Sequence, residues 1–268
     1  MPFDTEKFIS VCPNSVIDVH EIGYIKTAAL SKIQNIKHQK LYKAKELLFY
    51  KNADLLITIS QKEKTELKKI FPDKQIIVVP TCVKISRNAR FNFSERKNIC
   101  YFGFYNHIPN IDAVNYFAKN IFPGLKQKSS DIEFHVLGNG SAMFKNKYKD
   151  IKVKDHIKNI PKELSKYKVF VCPLRYGAGI KKKVLDAMNA KTPVVSTSYG
   201  FEGIKKLEQK SLSFENGNFV SQIVKIYSNK TIWNKISRTN FNTVKNYYSE
   251  KSFSRYVAIC VEKMKRLI

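Results

Sequence analysis

Residues 169–197 constrain the fold of this chain more than any other stretch, because they predict a strand, a glycine loop, a helix and a second strand in succession. The run at 169–172 is β-branched and aromatic and is followed by Pro173, which is typical of a buried parallel strand. Apolar residues then recur at helical spacing over 181–190, and 193–197 is the next β-rich run. This order predicts an α/β fold built on a parallel sheet.

The loop inside this unit carries two glycines, Gly177 and Gly179, and is followed by two lysines, Lys181 and Lys182. Glycines let the backbone turn tightly and approach a ligand, while the start of the helix presents free N–H groups and the positive end of its dipole. This combination suits a phosphate or diphosphate. Such loops are also common in α/β proteins without that ligand, and this one matches neither the dinucleotide fingerprint nor the P-loop. On the loop alone, both interpretations stay open.

The composition narrows the class of protein. At 268 residues the chain can bury one or two cores, and no apolar run is long enough to span a bilayer. The amino-terminal residues lack the basic and apolar segments of a signal peptide, so we expect a cytoplasmic protein. Five scattered cysteines without a C-x-x-C pair predict neither a disulfide framework nor a zinc site. No Asp-x-Asp metal motif stands out, and we expect no metal and no cofactor.

The formal net charge is +26, and two interpretations of it compete. A basic surface attracts anions such as nucleotide sugars, acidic lipid headgroups or nucleic acid. The lysines are, however, spread along the whole chain, as expected for solvated faces that serve no ligand. No motif of a nucleic-acid-binding module accompanies them, so we expect no nucleic-acid partner. A peripheral position on an acidic membrane surface stays open beside a purely cytoplasmic one.

Patterns outside the 169–197 unit predict further elements. Ser60 and Glu63 form a capping-box pair that opens a helix. A second helix is expected over 111–120, in an element that ends at Pro123. Residues 141–150 are rich in lysine and poor in apolar side chains, which predicts a surface loop.

Residues 173–203 resemble the donor-site segment of the family 4 glycosyltransferases, which are retaining sugar-nucleotide enzymes of the GT-B fold. In one large subset the segment runs P-L-R-x-G-x-G-x-K-x-K-x-x-E-A-M-A, followed by P-V-V and a closing G-x-E-G. The matching positions are Pro173, Leu174, Arg175, Gly177, Gly179, Lys181, Lys183, Ala187, Met188, Pro193, Val194, Val195, Gly200, Glu202 and Gly203. Residues 98–125 resemble the first βα unit of the family's donor domain, and 53–83 resemble the exit from its amino-terminal domain.

This resemblance implies the GT-B architecture, in which the active site lies between two Rossmann-like domains. Residues 95–248 would form one complete nucleotide-sugar-binding domain, and 249–268 a carboxyl-terminal helix that crosses back to the first domain. Residues 1–94 would supply only the last part of the acceptor-side domain and the linker, because most of the family's amino-terminal domain is missing from the pattern. Three explanations are compatible with the missing part of the pattern: a truncated reading frame, a fragment of a longer protein, or a split enzyme completed by a partner chain.

The resemblance also implies roles in donor binding. Gly177, Ala178, Gly179 and Lys181 would hold the diphosphate through backbone N–H groups and one cation. Asp186 stands where the family has the glutamate that binds the ribose hydroxyls, and its side chain is one methylene shorter. The family's other acidic position falls on Ala178, so the contact to the transferred sugar is left unassigned there.

His20 is the candidate catalytic residue. It lies at the polar end of a predicted strand over 16–21, where side chains face the ligand crevice in open α/β sheets. A histidine in this setting is also often structural, but the family carries one at the end of a late strand of its first domain, facing the transferred sugar. Further candidates for contacts at the cleft are Gly103, His107, Arg175 and Glu202.

Together these features predict a hexosyltransferase-like, metal-independent enzyme. It would move a sugar, with retention of configuration, from a nucleotide-diphosphate sugar to a glycan or lipid-linked acceptor in the synthesis of surface polysaccharide or glycolipid. The alternative is a non-catalytic or split-enzyme subunit that binds the donor and needs a partner chain for activity.

Overall fold

Two parallel sheets carry the described part of the chain, which comprises residues 16–19, 39–86, 92–205 and 219–266 of this computed structural model. The chain divides into two compact units. The first contains Met1–Cys82, Tyr176–Ile180 and Glu250–Ile268, and the second contains Val83–Arg175 and Lys181–Ser249. Within the described ranges, no helix has the length and apolar character needed to cross a bilayer.

The first unit is built on a three-stranded parallel sheet in the order β1-β2-β3. Its elements in chain order are β1 (Val16–Val19), α1 (Gln39–Asn52), β2 (Leu55–Thr58), α2 (Gln61–Ile70), β3 (Gln75–Val78) and a terminal helix (Glu250–Lys265). The strand predicted over 16–21 is described from Val16 to Val19, and residues 20 and 21 lie outside the described ranges.

Both faces of this sheet are covered. Leu55 and Leu56 are neighbours on β2, point to opposite faces, and are both fully buried. Leu56 packs in a cluster with Leu67 of α2, whereas Leu55 packs with Ile77 of β3 and with Cys260 of the terminal helix. Burial on both faces explains why β2 is a continuous apolar run rather than an alternating one.

The predicted capping box at the start of α2 is confirmed. The Ser60 hydroxyl accepts a hydrogen bond from the Glu63 N–H at 3.3 Å, and the Glu63 carboxylate accepts one from the Ser60 N–H at 3.0 Å. Two backbone donors that the first helical turn cannot satisfy are thereby paired.

The second unit is built on a five-stranded parallel sheet. Its strands are β4 (Lys97–Phe102), β5 (Phe134–Leu137), β6 (Ile151–Lys154), β7 (Tyr167–Cys172) and β8 (Val194–Ser196). Its α-helices are α3 (Ile108–Tyr116), α4 (Phe122–Lys128), α5 (Ile160–Leu164), α6 (Lys182–Asn189), α7 (Ser198–Phe201), α8 (Phe219–Ser228) and α9 (Lys230–Tyr247). A π-helical turn (Phe117–Ile121) and a 3₁₀ turn (Ser141–Phe144) complete it.

The strand order of this sheet is β6-β5-β4-β7-β8, which is the doubly wound order of a Rossmann-like unit. The predicted α/β class is confirmed. The order reverses between β4 and β7, which are neighbours in the sheet but distant in the chain. In open sheets of this kind, ligands bind outside the carboxyl ends of the strands at that point.

Aromatic side chains fill the space between the sheet and its helices. Tyr101, Phe117, Phe134 and Phe170 are all fully buried, and the rings of Phe117 and Phe134 lie 4.6 Å apart, centre to centre. Each such ring removes a large apolar area from water. This core holds β4, β5 and β7 in place beneath the segments that follow them.

A buried arginine ties the start of β4 to the helices packed on the sheet. Arg96 donates to the Ala190 carbonyl oxygen at 2.9 Å and to the Thr192 hydroxyl at 2.7 Å. Its guanidinium lies 5.1 Å from the ring centre of Trp233, whose indole N–H donates to the Lys168 carbonyl oxygen at 2.7 Å. Burial lowers the pKa of Arg96 to about 10, so the group stays charged at neutral pH.

Three local predictions differ in part from the structure. Pro123 does not end a helix but lies in the first turn of α4, where a missing N–H costs no hydrogen bond. The helix expected over 111–120 begins earlier, at Ile108, and reaches α4 through the π-helical turn. The surface loop expected over 141–150 opens with a 3₁₀ turn that buries Phe144, a single apolar side chain too isolated in sequence to show periodicity.

Candidate functional site

Gly103 stands at the switch point, directly after β4. Its N–H donates to the Leu137 carbonyl oxygen of β5 at 3.0 Å, and the residue is buried. A Cβ placed on it would lie 3.1 Å from the Cγ of Asn110. An added Cβ would thus press on the Asn110 side chain, so the end of β4 lies close against the first turn of α3. The role of Gly103 as a cleft contact stays a prediction.

Asn110 is the centre of a polar cluster that joins β4, α3 and α6. Its side-chain Nδ2 donates to the Phe104 carbonyl oxygen at 2.7 Å. Its Oδ1 accepts from the Tyr101 hydroxyl at 2.8 Å and also from the Lys183 ammonium, which donates to the Tyr101 oxygen at 2.9 Å. Tyr101, Asn110 and Lys183 are called the Asn110 cluster below.

None of these three residues was predicted as a site residue. Two of them carried a signal: Asn110 lies in the 98–125 stretch that resembles the family's first βα unit, and Lys183 is the second lysine of the G-x-G-x-K-x-K pattern. Both had been matched without a role. Lys183 is 73 positions from Asn110 and 82 from Tyr101, so no local periodicity could connect them.

The Lys183 amine is the titratable centre of the Asn110 cluster. It lies 4.7 Å from the centre of the Tyr101 ring. Burial is the main cause that lowers the pKa of Lys183 to about 8, with an opposing effect of Cys172 and a further lowering by the positive charge of Lys181. Burial raises the pKa of both Tyr101 and Cys172, so these two groups are neutral where Lys183 titrates.

The glycine loop has the backbone that its sequence predicts. Gly177 and Gly179 have φ angles of 128° and 74°, in the region that favours glycine. Lys181 follows the loop as the N-cap of α6, and its ammonium lies 3.4 Å from the Glu202 carboxylate. Both side chains are largely buried, with 11% and 14% exposure. Two residues that had been predicted separately, as a diphosphate contact and as a cleft contact, thus form one ion pair.

Asp186 lies on the next turn of α6 and is also paired. Its two carboxylate oxygens accept from the Lys182 ammonium at 3.0 and 3.2 Å, while only 9% of its side chain is exposed. Burial raises the pKa of Asp186, and the charge and hydrogen bond of Lys182 oppose that rise. The carboxylate is thus a hydrogen-bond acceptor of the kind that the predicted ribose contact needs.

Arg175 and His107, the other two candidates for contacts at the cleft, differ in the contacts that they make. Arg175 makes a two-pronged ion pair with Asp112 of α3, through its Nε at 2.9 Å and its second terminal nitrogen, and stacks 5.0 Å from the ring centre of Tyr116. It therefore anchors the end of β7 to α3. His107 is exposed at the N-cap of α3, and its carbonyl oxygen accepts from the Asn110 N–H at 2.9 Å.

His20, the candidate catalytic residue, lies outside the described residues, and its role stays a prediction. Within the described part of the chain, no group of three histidine, cysteine or acidic side chains has the arrangement of a metal site.

Comparison with known proteins gives a family and a fold. A family model described as "Glycosyl transferases group 1" matches residues 96–229, which is half of the chain. A protein of Klebsiella pneumoniae described as an "Uncharacterized 44.6 kDa protein in cps region" is 24% identical over 276 residues, covering 94% of this chain and 71% of that protein.

Two solved structures show the same fold. Mutant TarM of S. aureus, in complex with fondaparinux, α-GlcNAc-glycerol and UDP, superposes with a TM-score of 0.68 at 19% identity and covers 91% of this chain. Sucrose-phosphate synthase from Thermosynechococcus elongatus gives a TM-score of 0.71 at 14% identity, covering 95% of this chain and 69% of the synthase. The predicted GT-B class is thereby confirmed. The chain spans about half the length of TarM, with 50% of that protein covered.

Proposed function

The chain belongs to the glycosyl transferases group 1 family, and on that premise we propose that it transfers a sugar from a nucleotide-diphosphate sugar to a glycan or lipid-linked acceptor. We propose retention of configuration, and a place in the synthesis of surface polysaccharide or glycolipid. Two features of the similar proteins support the proposal: the Klebsiella relative is described as a protein in a cps region, and TarM was solved in complex with UDP.

The observation that carries the proposal is the loop that ends at Lys181. Two glycines with positive φ precede the helix N-cap, and Lys181 adds a cation at that position. When the bond between the sugar and the diphosphate breaks, negative charge grows on the departing nucleotide. Backbone N–H groups of the loop and the Lys181 ammonium would stabilise this charge without a metal. In the empty site, Glu202 would hold the Lys181 ammonium in place through their ion pair. The diphosphate, which carries more negative charge, would then replace Glu202 as the partner of Lys181.

Asp186 would accept hydrogen bonds from the two ribose hydroxyls of the donor. Its pairing with Lys182 favours the ionised form, which is the better acceptor. His20 would contact the transferred sugar, a role that rests on the family resemblance alone.

A titration of the purified chain with UDP and with GDP tests this site. We expect one nucleotide to bind, and we expect Lys181→Ala and Asp186→Ala each to weaken that binding at least tenfold, because each removes a charged contact. Lys225→Ala, which removes an exposed lysine of α8, is the control and should leave the affinity unchanged. Unaltered calorimetric binding in both site variants would rule out the assignment.

The second candidate is a donor-binding subunit that is inactive without a partner chain. The discriminating assay incubates the full chain with UDP-sugars and follows hydrolysis or transfer. Turnover by the chain alone would exclude the second candidate, whereas nucleotide binding without turnover would favour it.

For either function we propose a cytoplasmic protein whose net charge of +26 allows peripheral contact with acidic membrane.

A further inference from the structure

Lys183 lies in the first turn of α6, two residues after the proposed diphosphate contact Lys181. Its ammonium is held by two neutral acceptors, the Tyr101 hydroxyl at 2.9 Å and the Asn110 amide oxygen. It also lies over the face of the Tyr101 ring. These contacts fix the position of the amine but do not neutralise its charge.

No ion pair among the described residues includes Lys183, although Lys181 and Lys182 beside it both pair with carboxylates. The groups that act on Lys183 directly are Cys172 of β7, which raises its pKa, and Lys181 at the N-cap, which lowers it. Tyr101 of β4, its hydrogen-bond partner, is in turn acted on by Cys172, Tyr105 and Asp112 of α3. Burying a cation without a counter-ion is costly, and the cost falls when an anion arrives.

We propose that Lys183 is the proton-linked cation of the diphosphate site, which takes up a proton when the diphosphate binds at Lys181. This inference rests on the proposed function. Besides its structural place in the Asn110 cluster, Lys183 would make the affinity for the donor depend on pH through the protonation of its amine.

The direction of the linkage follows from the charges around the amine. With the site empty, burial and the like charge of Lys181 lower the pKa of Lys183 to about 8. A bound diphosphate carries more negative charge than the one positive charge of Lys181, so it should more than offset the repulsion between Lys181 and Lys183. We expect this to raise the pKa of Lys183 by about one unit. Between those two values the bound state holds more protons than the free state.

Calorimetry of UDP binding at pH 8.5, in two amine buffers that differ in ionisation enthalpy, measures the uptake directly. The last phosphate ionisation lies near pH 6, so the diphosphate itself is fully ionised there. We expect an uptake of about 0.5 proton per UDP bound, and an affinity about fivefold lower at pH 9 than at pH 7. The comparison stops at pH 9 because the base of the nucleotide itself loses a proton above that pH. GDP replaces UDP as the probe if only GDP binds.

Two variants of Lys183 separate charge from structure. Lys183→Arg keeps a cation that cannot lose its proton in this range, so it should bind UDP without proton uptake and with nearly the same affinity from pH 7 to pH 9. Lys183→Met removes the charge and should bind about tenfold more weakly at pH 7, also without uptake. Lys168→Met is the matched control, because burial also lowers the pKa of Lys168 but this residue lies near the amino end of β7.

The outcomes distinguish this inference from the proposed function. UDP binding by the wild type with no dependence on buffer overturns the role of Lys183 and leaves the donor site standing. Proton uptake that persists in Lys183→Arg overturns it as well. If neither UDP nor GDP binds to the wild type, both the inference and the proposed function fail. Should a variant not fold, the wild-type buffer comparison alone decides.

Discussion

At the scale of single residues, the charge of Asp186 depends on one exposed neighbour. Burial raises the pKa of this carboxyl, and Lys182 opposes the rise by charge and by hydrogen bonds. A carboxyl whose pKa is raised is protonated at a higher pH than usual, and a protonated carboxyl is a poorer acceptor for hydroxyl donors. In the proposed site, Lys182 would therefore set the acid limit of nucleotide binding as much as Asp186 itself.

Lys182→Ala removes the opposing charge, so the pKa of Asp186 should rise further. We expect UDP affinity near pH 5.5 to fall roughly two- to fivefold relative to the wild type, because 62% of the Lys182 side chain is exposed and the pair is screened. At pH 8, where Asp186 is ionised in both proteins, the loss should be smaller. Calorimetry from pH 5 to pH 8 measures the profile, and a loss that is uniform across this range contradicts the explanation.

At the scale of elements, Arg96 joins β4 to α6, α9 and the connection between α6 and β8. Its hydrogen bonds to Ala190 and Thr192 and its stacking on Trp233 span segments that are far apart in the chain. A planar group with several donors suits such a junction, because one side chain can satisfy acceptors in different directions.

Arg96→Met should lower the free energy of unfolding by about 2–4 kcal/mol, since the Ala190 carbonyl and the Thr192 hydroxyl lose their buried donor. Arg96→Lys is the matched variant, which keeps the charge but cannot reproduce the planar fork, and should recover part of the loss. Urea unfolding measures both. A methionine variant as stable as the wild type would show that apolar packing replaces the junction.

The sequence predicted some elements of the site and not others, for a physical reason. The β7–loop–α6 unit depends on local requirements, such as glycine at positive φ and apolar spacing on a helix, which are visible within about 30 residues. The Asn110 cluster and the pair of Arg175 with Asp112 depend on packing between segments that the chain brings together only on folding. The hydrophobic periodicity of a segment does not indicate which distant residue its polar side chains will contact. The ion pair between Lys181 and Glu202 was missed for the same reason, although both residues had been predicted.

At the scale of the whole molecule, the net charge of +26 should appear in the salt dependence of binding. An excess of lysine over the surface raises the local concentration of anions, and salt screens this effect. We expect UDP affinity to fall about three- to tenfold when NaCl rises from about 50 to about 300 mM. Uridine, which carries no phosphate, is the control ligand. Equal salt dependence of UDP and uridine would show that the lysines are only solvated faces.

The terminal helix has a consequence for how the chain is made. Its Cys260 packs on Leu55 and Ile77 of the first sheet, yet the ribosome synthesises the whole second unit between them. At typical elongation rates the apolar face of that sheet waits roughly ten to thirty seconds for its cover. The second unit, which is interrupted in sequence only by the loop Tyr176–Ile180, can mature first. We therefore expect the apolar face formed by Leu55 and Ile77 to be open to chaperones while the second unit is synthesised.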